Sequence, residues 1–172
     1  MLQIYTGIII RSLTVAGRFV FRRFGDDINP GDVFLLNDPY TAALHTSDIY
    51  LVAPIHFEGE LIAWSACFVH VYDIGAMNPG GFSPQSADIF TEGFSSPGIR
   101  IVDQGEMVQD VVDTLLNMVR PPDMVALDLR SLIACTNGKH LQLWKAPTLE
   151  MSWHLTKFRT LGGHRDHIRT LC

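Results

Sequence analysis

Two apolar runs, residues 49–55 and 61–71, with Glu58-Gly59-Glu60 between them, constrain this chain more than any other feature. Both are rich in Ile, Val, Phe and Trp, side chains that fit a pleated, half-buried surface. A turn that short between two such runs makes them an antiparallel hairpin. A hairpin folds its outer ends together, so Asp48, just before the first strand, is predicted to lie beside His70, near the end of the second. His45 precedes Asp48 by one turn of chain and belongs on the same rim. Two imidazoles and a carboxylate are the donors that a hard or borderline divalent cation takes. His45, Asp48 and His70 are therefore the candidate metal ligands.

The flanking segments supply the rest of a fold. Apolar residues recur at Ile9, Ile10, Leu13, Ala16, Val20, Phe21 and Phe24, a spacing of three and four that predicts an amphipathic helix over 8–24 with Arg on its other face. Gly25 stops it, and Asn29-Pro30-Gly31 is turn chemistry. Residues 33–36 read as a short apolar strand that ends at Asn37-Asp38-Pro39, which leaves Asp38 at a strand exit where catalytic side chains are common. The glycine-rich stretch 75–98, with prolines at 79, 84 and 97, reads as one long functional loop carrying Asp88 and Glu92. Met107, Val111, Val112, Leu115, Met118 and Val119 predict a second helix from Glu106 to the Arg120-Pro121-Pro122 stop. A third runs from Asp123 to Cys135, with Pro122 tolerated in its first turn. Strands followed by helices of this kind make an α+β fold, a mixed or antiparallel sheet with flanking helices.

Composition excludes several classes of function. A chain of 172 residues with 47% hydrophobic content can bury one ordinary core. Its net charge of −5, with no Lys/Arg stripe, argues against nucleic acid. Arg11, Arg18, Arg22 and Arg23 interrupt the apolar N-terminal stretch well short of the ~18–20 residues of a membrane span. Cys67, Cys135 and Cys172 are too few and too widely spaced for a disulfide framework or a cysteine zinc site, so a reducing cytoplasm is expected. Cys67, among Ala66, Phe68 and Val69, reads as a buried inert thiol. His164-x-x-His167 beside Asp166 has a spacing that a helix could present to zinc, but reads more simply as a polar terminus.

Six motifs in order, Phe24-Gly25-Asp26-Asp27, Pro30-Gly31-Asp32-Val33, Asn37-Asp38-Pro39-Tyr40, His45-x-x-Asp48, His70-x-x-Asp73-Ile74-Gly75 and Glu92-Gly93, closely resemble the hydantoinase B/oxoprolinase family. The resemblance covers about residues 8–135. It implies the B-type subunit of an ATP-dependent amidohydrolase. A partner A-type subunit would bind ATP and phosphorylate the carbonyl oxygen of a small cyclic amide, hydantoin-like or 5-oxoproline-like, and the B subunit would complete ring opening with a divalent metal (Zn, Mn or Fe). Phosphorylation makes the amide carbon electrophilic, and a cation that acidifies water supplies a nucleophile near neutral pH. Related members are acetone and acetophenone carboxylase subunits, the alternative activity. Carried over, His45, Asp48 and His70 are the family's metal ligands. Asp38 is a substrate or water contact, and Asp73 with the Gly75 turn supports His70.

The chain departs from the family pattern in several places. Ala42-Ala43-Leu44 stands where the family has Gly-Gly-Thr, and His70-Val71 where it has His-His. An upstream Arg-x-Asp-Phe-Ser segment, which supplies a further ligand in the family, is missing. Residues 136–172 form an unmatched tail, where relatives continue much further. The expectation is a partial domain over 1–135, a fragment of a larger subunit. If the fragment is non-catalytic, its uncovered apolar surfaces would drive self-association into a homo-oligomer.

Overall fold

The computed structural model describes the backbone of residues 2–80 and 83–145 and the side chains of residues 12–80 and 83–137. The tail from 146 onward, with His164 and His167, lies outside the described residues. The element order is α1 (Leu2–Phe24), β1 (Val33–Leu36), β2 (Asp48–Phe57), β3 (Glu60–His70), a 3-10 turn (Ile89–Glu92), β4 (Ile99–Asp103), β5 (Glu106–Met107), α2 (Gln109–Asn117) and α3 (Pro122–Lys145). The five strands among the described residues join one sheet in the order β3-β2-β1-β4-β5, antiparallel throughout. The fold is α+β, as the sequence predicts.

Strands β1 and β2 are buried on both faces, which explains why neither shows polar alternation. Successive side chains go to opposite faces of a strand. Val33, Leu35, Ile49 and Leu51 therefore face a core that α2 and α3 complete with Leu115, Val125, Leu129 and Leu132. Phe34, Leu36, Tyr50 and Val52 face the other way, onto Ala16 and Val20 of α1. Each face of the central pair thus has its own helical cover.

The predicted hairpin is present, turning at Glu58 and Gly59. Both residues have positive φ, 51° and 85°, the conformation of a two-residue turn that matches strand twist and favours Asn-Gly. Glu58 is a strained occupant, since a side chain with a Cβ in the left-handed region costs about 1–2 kcal/mol and asparagine tolerates it best. Glu58→Asn is accordingly expected to raise stability by about 0.5–1 kcal/mol, read as a higher urea midpoint at unchanged slope.

The structure corrects three helix boundaries. α1 begins at Leu2 rather than Ile8, and α3 runs on past Cys135 to Lys145. It continues through Asn137 and Gly138, a pair whose low helix propensity suggests an end. The second helix starts at Gln109, not Glu106, because Glu106 and Met107 pair with Asp103 and Val102 as β5. Met107 fits the helical spacing by coincidence. Among its described residues, the loop over 75–98 is mostly irregular, with one short 3-10 turn.

Arg100 of β4 gives the Phe-Gly-Asp-Asp and Pro-Gly-Asp motifs a structural meaning. Its guanidinium lies over the rings of Phe24 and Phe34, 5.5 and 5.4 Å from their centroids. It also pairs with Asp27 at 3.0 Å and with the buried Asp32 at 3.4 Å. Asp32 in turn accepts from the N–H groups of Asn29 and Gln104. The turn after α1 is thereby fastened to the β4–β5 end of the sheet.

Candidate metal centre

The open end of the β2–β3 hairpin brings the predicted ligands together. Asp48 and His70 are direct cross-strand partners, the first residue of β2 and the last of β3. Asp48 Oδ1 lies 3.1 Å from His70 Nδ1, and Oδ2 lies 3.3 Å from His45 Nδ1. The two imidazoles meet edge to face at 4.8 Å between centroids. One donor atom from each of the three residues falls within 4.8 Å of the other two.

Burial is unequal in a way that suits a cation. The Asp48 side chain is 4% exposed, whereas His45 and His70 are 52% and 47% exposed. A buried carboxylate is costly unless charge or hydrogen bonds compensate it. Here each carboxylate oxygen faces one imidazole nitrogen and solvent reaches only the rings. Metal bonds of about 2.0–2.2 Å at tetrahedral or octahedral angles place neighbouring donors about 2.8–3.6 Å apart. The two Asp48 contacts fall in that range, whereas the three donors together lie within 4.8 Å of one another, so the rings must close in to share one cation.

The surroundings fix this triangle. The Asp48 N–H donates to His45 O at 3.1 Å, and the Val71 N–H to Ser47 O at 2.9 Å. Tyr50, on the same face of β2 as Asp48, is wholly buried and its hydroxyl bonds Ser12 of α1 at 3.1 Å. Burial pushes the Tyr50 phenol up; the Ser12 bond opposes that shift, the nearby Asp48 charge adds to it, and the Leu44 backbone opposes it. The phenol stays neutral under the site.

The other predicted residues lie elsewhere on the rim or beneath it. Asp38 Oδ1 accepts from the Tyr40 N–H, and its carbonyl takes the N–H groups of Thr41, Ala42 and Ala43. Asp73 is buried, accepting from the N–H groups of Gly75 and Arg120 and from the Arg120 guanidinium at 2.7 Å. Burial alone would raise its carboxyl, but these donors outweigh it and hold the group below the usual carboxylate range. Glu92 ends the 3-10 turn, which Asp88 caps, and its Oε2 lies 3.4 Å from Thr46 Oγ1. Gly93 has φ 93°, and a Cβ there would come within 2.4 Å of Ile74 O, so the Glu92 loop lies tight against the Ile74–Ala76 backbone. Cys67 is buried, as the sequence predicts, with Thr136 Oγ1 at 3.0 Å.

Sequence patterning singled out Asp38 of Asn-Asp-Pro and passed over Asn37. Asn37 is fully buried, and its side chain makes three hydrogen bonds to separate loop positions. An asparagine in a turn string looks like a turn former, and only burial distinguishes it.

The family described as hydantoinase B/oxoprolinase matches residues 4–143. The chain belongs to the hydantoinase B/oxoprolinase family. Among curated relatives, the caprolactamase subunit beta of Pseudomonas jessenii is 36% identical over 132 residues, 76% of this chain and 23% of that protein. The acetophenone carboxylase delta subunit of Aromatoleum aromaticum is 32% identical over 126 residues, 73% of this chain and 18% of that one. The crystal structure of the ATP-dependent caprolactamase from Pseudomonas jessenii superposes with a TM-score of 0.76 at 30% identity, covering 86% of this chain and 26% of that one. This hydantoinase B-type chain therefore spans about a fifth of the length of these two curated relatives. Among its described residues, no helix is long and apolar enough to cross a membrane.

Proposed function

We propose that this chain is the cation-holding part of a B-type subunit that, with an ATP-binding A-type partner, hydrolyses a C–N bond of a small cyclic amide. The convergence of His45, Asp48 and His70 within 4.8 Å carries the reading. Its support is the donor set: two imidazoles and one carboxylate suit Zn, Mn or Fe and leave coordination positions open. A divalent cation held there would supply Lewis acidity and make a coordinated water more acidic. The protein's part is to keep Asp48 dry and fixed while His45 and His70 stay accessible from solvent. Asp38, at the adjoining strand exit, orients substrate or water through its carboxylate. Asp73 acts at a distance, bracing the loop that follows His70.

Caprolactam is a cyclic amide, and the likeness to a caprolactamase subunit favours hydrolysis. Similarity to an acetophenone carboxylase subunit favours the second reading, addition of bicarbonate-derived carbon to an activated ketone. Co-expression with an A-type subunit, followed by ATP-dependent turnover of lactams, hydantoins and 5-oxoproline against ketones plus bicarbonate, separates the two. The cation is tested independently by metal analysis of the purified chain beside His70→Ala. Near-stoichiometric metal that His70→Ala removes is expected. Less than about a tenth of a cation per chain in both, after loading with Zn²⁺ or Mn²⁺, would mark an inert fragment.

A further inference from the structure

The segment that carries two of the three ligands is the short loop leading into Asp48 at the start of β2, and Asn37 grips it from just beyond β1. The Asn37 Nδ2 group donates to Thr46 O at 2.6 Å and to Phe94 O at 2.8 Å. Its Oδ1 accepts from the Ser96 N–H at 2.7 Å, and its own backbone N–H donates to Ser96 O at 3.1 Å. The side chain is fully buried. Thr46 sits between His45 and Asp48, so the carbonyl that Asn37 holds belongs to the peptide that sets the separation of those ligands. The same amide anchors Phe94, two residues beyond Glu92, and so joins the ligand loop to the Glu92 loop.

We propose that Asn37 is a positioning residue for the cation site, setting affinity by fixing the Thr46 carbonyl. The inference rests on the cation reading above. Its chemistry is specific to a primary amide, which offers two N–H donors and one acceptor in a plane. Two carbonyls and one N–H are what surround it. Aspartate has the same shape and keeps the Ser96 bond, but turns an anionic oxygen toward two carbonyl oxygens. The loop must then move, and His45 and Asp48 move with it. Partners outside the coordination sphere affect metal affinity because they pre-set ligand geometry.

The test is Co²⁺ titration of the intact chain followed by visible absorption, comparing wild type, Asn37→Asp and the core variant Leu129→Ala. Leu129 lies in the α3 core, in the same apolar cluster as Phe94, and makes none of the hydrogen bonds that hold the Asn37 side chain. Asn37→Asp is expected to weaken Co²⁺ by about tenfold or more and to alter the ligand-field bands, while Leu129→Ala stays within about threefold of wild type despite its lower Tm. Should Asn37→Asp not fold, Asn37→Ser, which can donate to one carbonyl, is read against the same threshold. Unchanged affinity and spectrum in the folded Asn37 variant, or equal weakening in Leu129→Ala, overturns the proposal. A wild type that binds no Co²⁺ overturns the cation reading itself, a different result.

Discussion

Asp48→Ala is expected to weaken Zn²⁺ or Mn²⁺ binding by at least a hundredfold, since even partners outside the coordination sphere cost about 10–100-fold when removed. The substitution removes the only carboxylate of the triangle and the shared neighbour of both imidazoles, at 3.1 and 3.3 Å. Two half-exposed histidines would remain, free to reorient. Asp48→Asn should fall between wild type and alanine, because it keeps one oxygen donor and loses the charge. Calorimetric titration measures the affinity, and the cation-induced rise in Tm, a linkage effect, should vanish in parallel. Binding by Asp48→Ala within about tenfold of wild type, no more than the loss of an outer partner costs, would rule Asp48 out as a ligand.

Arg120→Ala has the second large effect, on stability. Asp73 is fully buried, and Arg120 supplies both a guanidinium contact at 2.7 Å and a backbone N–H to its carboxylate. The variant keeps the backbone bond but leaves the charge short of its cationic partner. Stranding one member of a buried pair typically costs about 3–5 kcal/mol; the half-exposed guanidinium places this case near 3. Urea unfolding at neutral pH measures it. The pH dependence has a definite sign. Because the folded Asp73 carboxyl is held below its unfolded value of about 3.9, its contribution is complete above that pH and is lost as pH falls through the folded value. Below about pH 4 the stability of Arg120→Ala should therefore decline less steeply than wild type. A parallel decline would show that the guanidinium does not depress the carboxyl.

The hairpin was legible because its two strands contrast sharply with the polar turn between them, and that contrast carried the Asp48–His70 pairing with it. β4 and β5 were not legible. Their turn is Gln104-Gly105, whose positive φ angles of 49° and 94° no Asn-Gly signal announces, and β5 is only two residues long. β1 is recognisable as apolar, but four residues cannot reveal that both faces are covered. The convergence of His45, Asp48 and His70 could be foreseen because their residue types are rare in combination. The role of Asn37 could not, since it depends on carbonyls of residues 9 and 57 positions away in the chain. The Asp73–Arg120 pair was hidden likewise, with its members 47 positions apart.

The Asp48–His70 pair closes one end of a ladder whose strands are 10 and 11 residues long, and the Glu58-Gly59 reversal closes the other. At about 3.3–3.4 Å per residue the two ends lie roughly 30 Å apart. A dye, affinity tag or surface tether grafted at that tip would report on or immobilise the molecule without crowding ions or small molecules at the imidazoles. The same strands give such a probe a stiff lever, so tilting of the hairpin on engagement with another subunit would be magnified at the tip.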